Sequence, residues 1–332
     1  MYPKLFELPI IHLTVWTYGV MMVVGFLTAL FLMRKLARKS GENPDHIANV
    51  ALYTLMAGVI GARIFYVVHH FSQFHGRWIS MFAIWQGGLE FIGGVILAIA
   101  VVIIYLRRQK LPVRQYLDIL AVGLMLGVAF GRVGCFFRGC CYGRPSNIAC
   151  AIRFPYGSPA HNSQVRPDAA RGRDKPYIDL PAEYFVFFSE DGKRWFLADE
   201  SNKYDAGLKP FDFLTLQQRQ LVSGGQYRPL PVHPTQLYSS ANAFLLCLVL
   251  WAFWRKFGRR RPGIVTALMF IFYGMSRFLL EFIRDDNPFE YAWWILCKGY
   301  TVSQNIGIYM AAFGIVLLII FARTKGQKKM DP

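Results

Sequence analysis

Residues 116–145 read YLDILAVGLMLGVAFGRVGCFFRGCCYGRP. Positions 116–137 supply the roughly 20 mostly apolar residues that a helix needs to cross the hydrocarbon core of a bilayer. Arg132 nevertheless sits close to the end of that run, and Cys135, Arg138, Cys140 and Cys141 follow within three turns. A cation inside a span is costly and faces a bundle interior or a wet cavity. The stretch therefore reads as a membrane helix that ends at a polar site.

Working outward, six more apolar stretches of spanning length lie near residues 12–33, 47–69, 89–106, 239–254, 263–282 and 303–322. With 54% hydrophobic residues in 332, a soluble domain is excluded. The expected class is an all-α polytopic membrane protein with about seven transmembrane helices. Residues 1–137 hold the first four helices, 138–235 a small extracytoplasmic head, and 236–332 the last three helices with a basic cytoplasmic tail. Residues 1–11 carry one basic residue, and the first apolar stretch is long enough to remain as a span, so no cleaved leader is expected.

Basic residues alternate between the links. Arg34, Lys35, Arg38 and Lys39 follow the first span; Arg107, Arg108, Lys110 and Arg114 the third; Arg255, Lys256, Arg259, Arg260 and Arg261 the fifth; Arg323, Lys325, Lys328 and Lys329 the last. The opposite links carry few. This asymmetry puts the amino terminus outside and the carboxyl terminus in the cytoplasm. It also accounts for much of the net charge of +17, with no nucleic-acid partner implied. Residues 138–235 hold 13 Lys/Arg against 10 Asp/Glu, and turn formers (FPYGSPAHN, SEDGK, SGGQ) alternate there with strand-like runs such as YFVFF.

The polar residues within or beside spans are the site candidates. Arg63 lies in GARIFYVV, Glu90 in WQGGLEFIGGVI, Arg132 in GVAFGRVG, and Arg277, Glu281 and Arg284 in YGMSRFLLEFIRDD. The i, i+4, i+7 spacing of the last three puts two guanidiniums and a carboxylate on one helix face. Such a stripe either stitches helices together or binds an anion. Arg132 and Arg277, toward the outer ends of their spans, suit a lipid phosphate through the bidentate guanidinium fork. Gly139 and Gly143 near Arg132 allow close helix packing or the approach of backbone to a bulky ligand. His233, Gln236 and Tyr238 in PLPVHPTQLYSS cap the fifth span or line the mouth of a site.

In these segments the sequence resembles the prolipoprotein diacylglyceryl transferases. The matching stretches are TVWTYGVMMVVGF, GARIFYVV, WQGGLEFIGG, GRVGCFFRGCCYG, HPTQLY, GMSRFLLEFIRDD and TVSQNIGI, in that order through nearly all of the membrane part. The 150–230 segment is longer than the usual insert and unlike it. The resemblance implies a multi-pass enzyme of the bacterial inner membrane with a periplasmic head; separately, a monomer is expected, with no cofactor. It would transfer a diacylglyceryl group from phosphatidylglycerol to the lipobox cysteine of a prolipoprotein, releasing glycerol phosphate. It assigns headgroup binding and catalysis to Arg132 and Arg277, and Glu281 and Tyr18 also match family positions. Ile92 departs from the family's His or Tyr, Cys135 and Arg138 from its two Asn, Cys140 from its Glu, and Ser239 from a Glu. Glu90 then becomes a candidate general base, or the partner of a neighbouring Arg. In sum, Arg132, Arg277, Glu90 and Glu281 are the catalytic candidates. Tyr18, Arg63, Gly139, Gly143, His233, Gln236, Tyr238 and Arg284 join the two arginines as substrate-binding candidates. A catalytically silent phospholipid-binding relative, or a transferase with another acceptor, is the alternative.

Six cysteines occur, at 135, 140, 141, 150, 247 and 297. Cys247, in an apolar span, reads as a small hydrophobe. A disulfide from Cys140 or Cys141 to Cys150 or Cys297, or plain packing, is expected at the outer rim. The spacing C-x4-C-C-x8-C lacks a regular zinc pattern, so no metal is expected.

Overall fold

The computed structural model describes residues 4–8, 13–76, 78–84, 87–189, 194–258, 260–287 and 299–323. The chain begins with an antiparallel pair, β1 (Lys4–Leu8) and β2 (Leu13–Trp16), and runs directly into α1 (Thr17–Ser40). Then come α2 (Pro44–His69), α3 (Phe91–Arg108) and α4 (Val113–Arg138). Two short helices, α5 (Pro159–Gln164) and α6 (Leu216–Ser223), precede α7 (Thr235–Phe257), α8 (Ile264–Glu281) and α9 (Val302–Arg323). Among the described residues seven helices, all but α5 and α6, are long and apolar enough to cross a membrane. This is a multi-pass, mainly helical membrane protein.

The helices agree with the apolar runs except at their ends. The first starts at Thr17 rather than residue 12, because the preceding residues pair as a hairpin, and it continues to Ser40. Arg38 and Lys39 close its last turn, as Arg107 and Arg108 close α3 and Arg255 and Lys256 close α7. Cations there oppose the negative end of the helix dipole, so a helix gains by running on into its basic link.

Contacts divide the chain into two compact units. The first comprises Met1–Gly25, Met125–Leu246 and Phe270–Gly314. Within it, residues 138–235 build a core of their own from Val165, Leu180, Tyr184, Phe185, Leu214 and Val222. A three-stranded antiparallel sheet belongs to this region, with β3 (Phe185–Phe188) between β4 (Trp195–Leu197) and β5 (Gly207–Leu208). The strand-like run YFVFF thus forms a strand. FPYGSPAHN, a turn by composition, contains α5, whose amino end is capped by Ser158 accepting the His161 N–H, with Pro159 first in the helix. SGGQ ends α6, and all of SEDGK but Ser189 lies outside the described residues.

The second unit comprises Phe26–Leu124, Cys247–Met269 and Ile315–Pro332. Here α2 and α3 pack backbone to backbone. A Cβ on Gly61 would lie 2.5 Å from the Gly93 carbonyl oxygen, a contact only glycine permits. Asp118 is fully buried, and its carboxylate accepts the Gly263 N–H at 2.7 Å, the Thr266 N–H at 2.8 Å and the Thr266 hydroxyl at 2.7 Å. These include N–H groups at the start of α8, which have no partner inside the helix. Asp118→Ala leaves those donors without acceptors where water is scarce. It is expected to lower unfolding free energy by about 1–3 kcal/mol, with a smaller loss for Asp118→Asn, as measured by thermal unfolding in detergent.

Candidate functional site

The first unit brings together Tyr18, Arg132, Gly139, Gly143, His233, Gln236, Tyr238, Arg277, Glu281 and Arg284; Arg63 and Glu90 belong to the second. Main-chain bonds join the three signature segments of the first unit. After α4 the chain Cys140–Arg144 passes between His233 and Ile283–Asp285. The Gly143 N–H donates to the His233 carbonyl at 3.1 Å, the Arg144 N–H to the Ile283 carbonyl at 2.9 Å and the Asp285 N–H to the Tyr142 carbonyl at 3.1 Å. A Cβ on Gly143 would lie 2.6 Å from the His233 Cβ and 2.8 Å from the Ile283 oxygen, so only glycine fits this crossing. From α7, the Thr235 hydroxyl donates to the Cys141 carbonyl and the Gln236 amide to the Cys140 carbonyl, each at 2.7 Å.

Beside this crossing lies the arginine array. Arg277 and Glu281, one turn apart on α8, form an ion pair at 3.0 Å that lacks the alignment of a hydrogen bond. Arg277 also donates to the Ser303 hydroxyl at 2.6 Å. Glu281 has no exposed side-chain surface; it accepts from the Thr301 hydroxyl at 3.0 Å and from the Asn287 amide, and Arg284 stands 3.7 Å away. Arg284 in turn makes a bidentate pair with Asp286 at 2.8 and 2.7 Å. Burial opposes its charge, but the hydrogen bonds and charge of Asp286 outweigh that and raise its pKa. Burial likewise raises the Asp285 carboxyl, against the pull of Arg171 and Arg173.

Those two insert arginines were not singled out by the sequence. Arg171 donates to the carbonyls of Asn287 at 2.5 Å and Arg284 at 3.0 Å; Arg171 and Arg173 reach Asp285 at 3.4 and 3.3 Å. Their partners lie more than a hundred positions downstream, beyond any local spacing signal.

Arg132 differs from all of these. It is half-buried and makes no hydrogen bond or ion pair among the described residues, while Tyr273, Cys141 and Arg284 are near enough to act on it electrostatically. Of the substrate-binding candidates in the unit, His233 and Gln236 also carry a buried atom without a hydrogen bond, Nδ1 and Oε1. Tyr18 lies against the Gly134 backbone, and the Arg138 guanidinium stacks 5.9 Å from its ring centroid. The Tyr238 hydroxyl meets the Cys150 thiol at 3.1 Å.

In the second unit, Arg63 turns inward to its own chain. It donates to the carbonyls of Ser80 at 2.6 Å, Met81 at 2.8 Å, Gly87 at 2.6 Å and Gly88 at 3.0 Å, thereby holding the link between α2 and α3. Glu90 stands at the mouth of α3 rather than inside the span. It pairs with no arginine among the described residues but with His69 at 2.7 Å and His70 at 3.8 Å, both from the end of α2. Ile92 is 55% exposed in the first turn of α3.

The described cysteines are all free thiols; Cys297 lies outside the described residues. Cys150 contacts Tyr238, and the Sγ atoms of Cys135, Cys140 and Cys141 gather within 4.8 Å of one another. Hydrogen bonds with the Cys135 and Cys140 thiols, then the charges of Arg284 and Arg132, hold the Cys141 thiol below the usual thiol range.

Seven apolar helices with a buried arginine-rich polar cluster define an integral membrane protein with an internal cationic site. The family model described as prolipoprotein diacylglyceryl transferase matches residues 3–320, and the chain belongs to that family. Curated relatives carry the name phosphatidylglycerol–prolipoprotein diacylglyceryl transferase. The one from Clostridium tetani is 27% identical over 320 residues, 96% of this chain and 98% of the relative. That from Paraburkholderia phymatum is 28% identical, covering 95% and 92%, and that from Synechococcus elongatus 24%, covering 92% and 83%.

Removing Glu281 as Ala leaves Arg277 and Arg284 short of a buried counter-charge. We expect Glu281→Ala to cost about 3–5 kcal/mol of stability by thermal unfolding in detergent. Glu281→Gln is expected to lose less, because its amide oxygen still accepts from Asn287 and Thr301.

Proposed function

We propose that this protein transfers the diacylglyceryl group of phosphatidylglycerol to the lipobox cysteine of a prolipoprotein, at a site built on Arg132 and Arg277 in the bacterial inner membrane. The observation that carries this reading is Arg132, a half-buried guanidinium without hydrogen bond or ion pair among the described residues, beside an array whose other arginines are engaged. A phosphodiester supplies the charge and the acceptors that such a group lacks.

In the reaction the acceptor thiolate forms a bond to the glyceryl carbon as the carbon–oxygen bond to phosphate breaks. The electron pair departs with glycerol phosphate, and the thiol proton is lost to a base or to solvent. Arg132 neutralises the charge that grows on the leaving phosphate. Arg277, aligned by Glu281 and Ser303, supports it from α8. Tyr18, Gly139, Gly143, His233, Gln236 and Tyr238 shape the pocket wall. Arg63 and the Glu90–His69 pair order the link between α2 and α3. The basic links lie in the cytoplasm, and residues 138–235 form an extracytoplasmic head whose Arg171 and Arg173 anchor the end of α8.

A second reading, lipid binding without turnover, is favoured by Ile92, an exposed aliphatic side chain where the family's His or Tyr is expected. Incubating the protein with phosphatidylglycerol and a synthetic lipobox peptide separates the two. The transferase produces a diacylglyceryl mass gain on the peptide cysteine. Arg132→Ala is expected to lower the rate about 10²–10³-fold, and Arg132→Lys by less, since it keeps the charge but loses the fork. Lipid bound without any gain in peptide mass leaves the silent relative as the answer.

A further inference from the structure

The three thiols at the rim after α4 have no role in the function proposed above. Cys135 lies on the last turns of α4. Gly139, at φ +77°, and Cys141, at φ +59°, then reverse the chain so that Cys140 and Cys141 fold back toward Cys135. A non-glycine residue in the left-handed region costs on the order of 1 kcal/mol and persists only where its surroundings enforce it. They do so here. The Gly139 and Cys140 N–H groups both donate to the Cys135 carbonyl, at 2.9 and 3.2 Å, while Thr235 and Gln236 hold the carbonyls of Cys141 and Cys140.

The result is a triangle of sulfurs, each half-buried, with all separations within 4.8 Å. Three thiolates at Zn–S bonds of about 2.3 Å require sulfurs about 3.8–4.0 Å apart, a small contraction of this arrangement. A disulfide leaves one sulfur over whichever pair forms it, whereas a metal engages all three. The Arg132 and Arg284 guanidiniums lie near enough to Cys141 to act on its sulfur electrostatically.

We propose that Cys135, Cys140 and Cys141 bind one Zn2+ whose fourth position is open to the acceptor thiol. Three protein ligands with an open position are the pattern of catalytic zinc sites. A thiol entering that position loses its proton to solvent and arrives as a metal-bound thiolate. Its sulfur then bonds to the glyceryl carbon as the carbon–phosphate oxygen bond breaks, and the resulting thioether, a poor ligand, leaves the metal. The metal thereby takes the place of a general base. This second role rests on the transferase reading; the metal site does not.

The test begins with metal content. Protein purified in detergent without chelator is expected to hold one zinc per chain. Cys135→Ser, Cys140→Ser or Cys141→Ser each abolishes it, while Cys247→Ser, in an apolar span, leaves it unchanged; thermal unfolding checks that the variants remain folded. Replacement by Co2+ gives a thiolate-to-cobalt charge-transfer band that intensifies on adding the lipobox peptide and not its Cys→Ser analogue. No zinc in the wild-type protein, a Cu+ stoichiometry instead, or a disulfide between two of the three in protein isolated anaerobically overturns the site. A bound metal whose spectrum ignores the peptide overturns the open position. Undiminished lipid transfer by zinc-free protein also overturns the zinc's role while leaving the transferase standing. Zinc and peptide binding without lipid transfer overturns the transferase reading, and with it the zinc's role, while leaving the metal site standing.

Discussion

A carboxylate buried between two guanidiniums, Glu281 with Arg277 and Arg284, is the interaction that the first unit is arranged to satisfy. Taking such groups out of water costs several kcal/mol per ion, and mutual attraction offsets this only when the remaining donors and acceptors are also paired. The surrounding contacts follow from that demand. Thr301 and Asn287 fill the second oxygen of Glu281, Asp286 takes both arms of Arg284, and Asp285 is held by Arg171 and Arg173 from the insert. Five guanidiniums, counting Arg132, face three carboxylates, so the array carries an excess of positive charge. That excess is what makes Arg132 the proposed partner of a lipid phosphate.

The second unit solves the converse problem, irregular backbone beside membrane helices. Carbonyls outside regular helices, and N–H groups at helix starts, lack a partner within a helix. Arg63 gathers four carbonyls of the link after α2, and Asp118 gathers N–H groups at the start of α8. Each charged side chain is neutralised by peptide dipoles rather than by an opposite ion. A guanidinium or carboxylate in a span is therefore not by itself a sign of ligand binding. What sets Arg132 apart is the absence of any such partner among the described residues.

The spans were legible because hydropathy over about twenty residues is a sum in which single errors cancel, and the i, i+4 spacing correctly put Arg277 against Glu281. Glu90 was misread by the same sum. Its apolar neighbours suggested a span interior, but the glycines before it break the helix, and α3 starts only at Phe91. Arg171 and Arg173 were illegible for a different reason. A long-range ion pair leaves no periodic trace, and in an insert of near-neutral composition two arginines look like solvated surface. Asp118 likewise has its partners in another helix.

The cysteines mark the limit of spacing as a guide. C-x4-C-C is not a spacing that a finger or ribbon would use, yet ligand geometry is a property of sulfur positions and not of residue intervals. Here the last turn of α4 and two left-handed residues convert that interval into a triangle. The bonds from Thr235 and Gln236 go to carbonyls, and the Gly143 crossing is made of backbone, so the turn is held largely by main-chain groups, with the Cys140 thiol adding a contact to the Cys135 carbonyl. At positions 135 and 140 thiols stand where the resemblance expects an amide and a carboxylate, on this same frame. On the proposal above, that exchange of hard for soft donors fits the rim to a metal, beside the same arginine array.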